Sequence, residues 1–171
     1  MTIRLLEVKD REGIEQVAAL AEHIWREHYP PMIGQAQVNY MLQKFQSPEA
    51  IQNQIAFEGY RFFLIQGPGQ KKIGYAAVVP QKCSLFLSKF YLVREARGLG
   101  YARQSMGFIE CLARESGCSK IFLTVNKKNP SVAAYEKMGF KKAGSLLQDI
   151  GNGFFMDDFK MEKRFAGRKK A

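Results

Sequence analysis

Arg97-Gly98-Leu99-Gly100-Tyr101-Ala102 stands where two patterns of different period meet. Upstream, Leu85-Phe86-Leu87 through Phe90-Tyr91-Leu92-Val93 is an apolar run that reads as a buried strand. Downstream, Leu99, Ala102, Met106, Ile109 and Ala113 recur at steps of three and four, which predicts a helix. The two glycines therefore lie at a strand-to-helix turn, where the missing Cβ lets backbone approach a ligand closely. The first amides of a helix have no internal partners and carry the positive end of its dipole. Such a turn suits a phosphate or pyrophosphate. Its spacing is neither the G-x-G-x-x-G of dinucleotide folds nor the G-x-x-x-x-G-K-[ST] of P-loops.

About thirty residues on lies Asn126-Lys127-Lys128-Asn129-Pro130-Ser131-Val132-Ala133-Ala134-Tyr135-Glu136-Lys137-Met138-Gly139-Phe140. It follows a strand pattern, Ile121 to Val125. Asn129 is expected as the N-cap of a short helix, Pro130 as its first residue, and Gly139 as the left-handed residue that ends it.

Together the two stretches resemble the acetyl-CoA motifs of the GCN5-related N-acetyltransferase family. These are R/Q-x-x-G-x-G/A after the fourth strand and N-x-x-A-x-x-x-Y-x-x-x-G-F around the fourth helix. The second match is offset, with Asn129 four residues before Ala133 and Tyr135 two after it. The order of elements fits from about residue 2 to 163. The resemblance implies an α+β fold: a mixed, largely antiparallel twisted sheet of about seven strands with helices on both faces.

Length and composition agree with one soluble domain. At 171 residues the chain can bury a substantial core. No apolar run is long enough to span a bilayer, and Met1 to Val8 alternates like a strand rather than a signal peptide, so the cytoplasm is expected. Cys83, Cys111 and Cys118 lack metal or redox spacing and read as reduced thiols; no metal is expected. The net charge of +10 is spread rather than striped, which favours a solvated basic surface over nucleic acid. One domain is expected over residues 1–165, with a basic tail at 166–171.

In chain order, Ile3–Val8 reads as a strand and Asp10 as the cap of a helix with Ile14, Val17, Ala18, Ala21, Ile24 and Trp25 on one face. His28-Tyr29-Pro30-Pro31 ends that helix. Gly34 opens a second helix through Phe45, and Ser47-Pro48 starts a third. Arg61–Gln66 and Lys72–Val79 form a hairpin, with Gly74 marking a bulge or a close contact. Strands Phe140–Gln148 and Phe154–Lys163 flank Gly151-Asn152-Gly153, a strong hairpin signal.

The resemblance also implies a reaction, acetyl transfer from acetyl-CoA to a primary amine in a ternary complex. Pantetheine would pair with backbone of Phe90, Tyr91 and Leu92 between parted fourth and fifth strands. The pyrophosphate would meet amides of Gly98, Leu99, Gly100, Tyr101, Ala102 and Arg103, with charge from Arg97, Arg103 and Lys128. Asn129 would bond the cofactor or cap its helix. A strand amide near Tyr91 would stabilise the oxyanion. Tyr135 matches the family's proton donor to the departing thiolate.

The general base is not visible, because Ser84–Lys89 holds no acid where relatives carry a glutamate. His28 is the first candidate, by its titration range; Asp149, Asp157 and Asp158 are others. His28–Gly34 and Asp149–Asp158 look like a branch that includes the PaiA-type polyamine acetyltransferases, with Tyr29, Asp157 and Asp158 lining an acceptor pocket. A small-molecule amine is thus the expected partner. Peptide or protein amines, or a non-catalytic acyl-CoA-binding module, are the alternatives. Homodimers are common in the family, but the sequence names no interface.

Overall fold

The computed structural model describes residues 2–165; the basic tail at 166–171 lies outside them. The strands form a seven-stranded sheet in the order β1-β2-β3-β4-β5-β7-β6. The chain divides into two compact units, Met1–Val79 with Lys89–Ile109, and Pro80–Ser88 with residues from Glu110 on. The division falls inside β4 (Ser84–Leu92) and inside α5 (Tyr101–Glu115).

In the first unit, β1 (Arg4–Glu7) pairs antiparallel with β2 (Arg61–Gln66), Leu5 opposite Ile65. Asp10 caps α1 (Arg11–His28) by accepting from the Gly13 amide at 2.8 Å, which satisfies one of the helix's orphan donors. Ile14, Val17, Ala21, Ile24 and Trp25 form its buried stripe. At roughly 1.5–3 kcal/mol per fully buried large apolar side chain, this stripe holds the helix in place.

Pro30-Pro31 does end α1, but a single further turn follows, α2 (Pro30–Ile33), which the sequence pattern does not predict. Proline tolerates the first helical turn, because its missing N–H has no partner there. Gly34 (φ 83°) then breaks into α3 (Gln35–Phe45). Ser47 caps α4 (Pro48–Phe57) through the Ala50 amide at 3.2 Å, with Pro48 at the first position.

β2 returns as β3 (Lys72–Pro80), with a register shift between Ile65 and Gln66. A Cβ on Gly74 would collide with the Tyr91 carbonyl oxygen, so glycine is required where β3 crosses the end of β4. The Val93 amide donates to the Ile73 carbonyl at 2.8 Å beside it.

In the second unit, β4 and β5 (Lys120–Asn126) are parallel, and their ladder covers only Ser84–Phe86 against Lys120–Phe122. Within this unit the pairing stops there, although Leu87 and Ser88 continue one strand and Leu123 to Asn126 the other. On its other side β5 pairs along its whole length with β7 (Phe154–Arg164). β7 turns back from β6 (Lys141–Gly151) through Asn152-Gly153, both at positive φ (55° and 78°), the tight-turn conformation that the Asn-Gly pair favours.

Among the described residues no helix is long and apolar enough to cross a membrane.

Candidate active site

The first unit carries the glycine turn. Gly98 and Gly100 have φ of 74° and 85°, in the left-handed region that disfavours a Cβ. An ideal Cβ on either would meet nothing within 4 Å, so conformation demands the glycines and their outer side is open. α5 begins at Tyr101, and the Gln104 amide donates back to the Gly100 carbonyl at 3.1 Å as the helix opens.

Leu99 does not lie on the α5 face as expected: it precedes the helix and is 61% exposed. Tyr101 takes the inward position, followed by Met106, Ile109 and Ala113. The left-handed glycines delay the helix start, so the buried face begins at Tyr101 while Met106, Ile109 and Ala113 keep their expected places. The Ser105 hydroxyl bonds back to the Tyr101 carbonyl at 2.8 Å, fixing this first turn.

The donor set fits an anion. A helix cannot satisfy the amides of its own first turn, here those of Tyr101, Ala102 and Arg103. Arg97 closes the turn: its Nε donates to the Leu92 carbonyl at 3.1 Å, and its Nη1 faces His28 Nδ1 at 3.5 Å. The residues that would hold a CoA diphosphate are thus open glycine backbone, helix-end amides and guanidinium.

Beside this turn the first unit gathers aromatic rings. Tyr29 lies 4.4 Å from Trp25, 4.9 Å from His28 and 6.3 Å from Tyr91, by ring centroids. Tyr91 lies 5.7 Å from Trp25 and 5.3 Å from Tyr75. His28, Tyr29, Tyr91 and Arg97 are therefore brought together, with Phe90 and Leu92 flanking Tyr91 on β4. Burial pushes the Tyr75 hydroxyl well above its ordinary range, with the Trp25 side chain acting the other way.

The second unit carries α6 (Ser131–Lys137). Asn129 is not its N-cap: Pro130 is already helical (φ −62°, ψ −15°) and takes that place. Asn129 closes the turn before it, its side chain accepting from the Ser131 amide at 2.9 Å and its carbonyl from the Val132 amide at 3.2 Å. At the far end Gly139 (φ 95°) turns the chain so that the Phe140 amide reaches the Tyr135 carbonyl at 3.0 Å. The Phe140 ring, buried, then meets Tyr135 edge-on at 5.7 Å. The glycine-phenylalanine pair thereby orients the tyrosine.

Asp157 and Asp158 are neighbours on β7 with different surroundings. Asp157 is half-exposed and pairs with Lys127 at 3.0 Å. Asp158, opposite Asn126 and Leu146 in the ladders, is only 3% exposed. Burial, then the Asp157 charge, pushes its carboxyl up to about 6, with Lys127 opposing.

One conspicuous residue was not singled out in the sequence. Lys89, on β4 in the first unit, is 5% exposed, and burial pulls its ammonium down to about 7 against the pull of Glu58. The signal was present: Lys89 shares parity with Leu85, Leu87 and Tyr91, hence the buried face of the strand.

The model of the acetyltransferase (GNAT) domain matches residues 30–164 and spans both units. The chain belongs to the GNAT acetyltransferase family. No curated protein matches it in sequence. Among solved structures it is similar to a PaiA N-acetyltransferase from Thermoplasma acidophilum in complex with coenzyme A. The TM-score there is 0.80 at 20% identity, covering 96% of this chain and 100% of the other. It is also similar to a GCN5-related N-acetyltransferase from Rhodopseudomonas palustris, with TM-score 0.77, 13% identity, and 96% and 95% covered. A spermidine N-acetyltransferase SpeG variant from Vibrio cholerae gives 0.66 at 17% identity, with 95% and 93% covered. These likenesses establish the fold, and family membership makes acetyl-CoA the co-substrate.

Proposed function

We propose that the chain acetylates a primary amine of a small molecule, with the glycine turn holding the diphosphate of acetyl-CoA. When bound, acetyl-CoA supplies an acetyl group activated as a thioester. The amides of Tyr101 and Ala102, with Arg103, bind the diphosphate, and the backbone of Phe90, Tyr91 and Leu92 orients the pantetheine arm. Asn129 adds a polar amide near the start of α6.

An amine that titrates near 10 arrives as an ammonium and must lose a proton before it can attack. Two expected groups compete for that proton. His28 faces the Arg97 guanidinium, a cation. Asp158 is a buried carboxyl held near 6, ionised at neutral pH and more basic than an ordinary carboxylate. We therefore assign proton acceptance to Asp158, with Tyr29 and Asp157 beside the acceptor. Tyr135 hands its hydroxyl proton to the departing sulfur.

The observation that carries this reading is the pair of left-handed glycines opening α5, in a chain of the acetyltransferase family. A polyamine acceptor is a second reading, favoured by Asp157 and Asp158 and by the likeness to spermidine N-acetyltransferase structures. Within the sequence it rests on those carboxylates, because no Asp or Glu occurs between His28 and Pro48. CoA release tested with spermidine, spermine, amino acids and aminoglycosides decides the class. Turnover with polyamines alone establishes the second reading; turnover with none of these amines contradicts the first.

A further inference from the structure

Lys89 takes no part in the reaction above, yet it is among the most completely surrounded charges of the first unit. Its Nζ donates to the Phe45 carbonyl at 2.7 Å and to Gln54 Oε1 at 2.7 Å. It also lies 4.8 Å from the centroid of the Phe62 ring, and 5.7 Å from that of Tyr60. Three directions of an ammonium are thus met by two oxygens and an aromatic face. Phe45 is the last residue of α3, so its carbonyl lies at the negative end of that helix, where a cation is favoured.

The corner between α3 and α4 is tied a second and a third time. Gln54 Nε2 donates to the same Phe45 carbonyl at 3.1 Å. The Tyr75 hydroxyl, from β3, donates to Gln46 Oε1 at 3.0 Å. Gln46, Gln54, Tyr75 and Lys89 are all buried. Apolar residues of similar volume would fill this space without desolvating a charge, so the network fixes geometry rather than maximising stability.

Two things follow Lys89 within the same unit. Two residues along β4 on the same face is Tyr91, whose ring packs on Tyr75, Trp25 and Tyr29. The corner itself is the end of α3, which follows α2 after Gly34 alone and begins six residues beyond Tyr29.

We infer that Lys89 is a positioning residue, which locks the α3–α4 corner, and through α3 the acceptor side around Tyr29, onto the cofactor end of β4. The inference rests on the acetyltransferase reading. Gln54 shares the role as the side chain that completes the ammonium's coordination. Phe90, the next residue on β4, keeps its backbone geometry whichever side chain stands at 89, so binding of acetyl-CoA depends little on the network.

The test uses the full chain, with spermidine and phenethylamine as amine probes, well below each variant's melting temperature. Lys89→Met and Gln54→Leu are expected to raise the acceptor KM by about tenfold, while the calorimetric Kd for acetyl-CoA stays within about twofold. Gln54→Glu, which keeps an oxygen for Lys89, restores the acceptor KM. Should Lys89→Met fail to fold, the Gln54 pair decides alone. The inference is overturned if the variants change melting temperature and leave kinetic constants untouched, or if acceptor and acetyl-CoA constants worsen together. A wild-type chain that binds acetyl-CoA but acetylates neither probe, nor any other small amine, sinks the functional reading and this inference with it. That failure is seen before any variant is made.

Discussion

Lys89 and Asp158 are both withdrawn from water, 5% and 3% exposed, and both are pushed toward neutrality, to about 7 and about 6. Their surroundings differ. Lys89, in the first unit, is met by a helix-end carbonyl, a glutamine oxygen and an aromatic face. Asp158, in the second, is met by another carboxylate and by a lysine already paired with that carboxylate. Its partners across the two ladders, Asn126 and Leu146, bring it no opposite charge. A buried charge whose partners are all supplied by the fold holds the fold's geometry. A buried charge left short of partners keeps its affinity for a proton, which is what a base for an ammonium requires.

The contrast breaks first at Asp158. Asp158→Asn is expected to lower kcat by about 10²–10⁴-fold, the usual worth of a general base, with acetyl-CoA affinity unchanged. Asp157→Asn, which removes the pair with Lys127 and the smaller of the two influences that hold Asp158 up, is expected to change kcat by less than about tenfold. Equal losses in the two variants, read by thiol release, would put both carboxylates in one class. Next comes Tyr135→Phe, for which kcat falls by about 10²-fold while the KM for acetyl-CoA holds; unchanged turnover removes the phenol from the mechanism.

A smaller effect is expected at the glycine turn. Gly98→Ala places a Cβ in the left-handed region at a cost of roughly 1–2 kcal/mol. Acetyl-CoA binding should weaken by about tenfold in calorimetry, with the far-ultraviolet spectrum unaltered; an unaltered Kd would mean that the turn does not hold the cofactor.

The smallest expected effect is on stability against pH, and it has opposite signs for the two charges. The folded Asp158 carboxyl titrates above its unfolded value of 3.8, so between about pH 4 and 6 the folded chain holds the extra proton. Its contribution to stability is therefore lost as pH rises through about 6. The folded Lys89 ammonium titrates below its unfolded value of 10.5, so above about pH 7 the unfolded chain holds the extra proton. Its contribution rises with pH over that range. Melting temperatures of Asp158→Asn and Lys89→Met against pH should each lose one slope and keep the other. Parallel curves for wild type and variants would show that neither group is shifted by its surroundings.

These two charges also mark how far the chain can be read without coordinates. Elements set by local chemistry were legible: the Asp10 and Ser47 caps, the Asn152-Gly153 turn, and the glycines at 98 and 100 all act through their own backbone. Gly74 was legible as an anomaly, and its cause, the Tyr91 carbonyl, was not, because a close approach between strands has no local signature. The turn of α2 was hidden because two prolines read as a stop, though they equally suit a helix start. Leu99 and Asn129 were each misplaced near a helix start, where φ at a glycine or at Pro130 decides which residue comes first. Lys89 was passed over because a strand lysine normally faces water; its acceptors, Phe45 and Gln54, lie more than thirty residues away. Asp158 was selected only as one of a pair, since the ladders that bury it and expose Asp157 are tertiary.

The central claim is that main-chain donors between Arg97 and Arg103 hold the diphosphate of acetyl-CoA. Calorimetric titration of acetyl-CoA into the full chain tests it most directly. The account predicts saturable one-site binding, competed by CoA and by 3′-phosphoadenosine 5′-diphosphate, and weakened in Gly98→Ala. The absence of saturable heat at millimolar acetyl-CoA would contradict it.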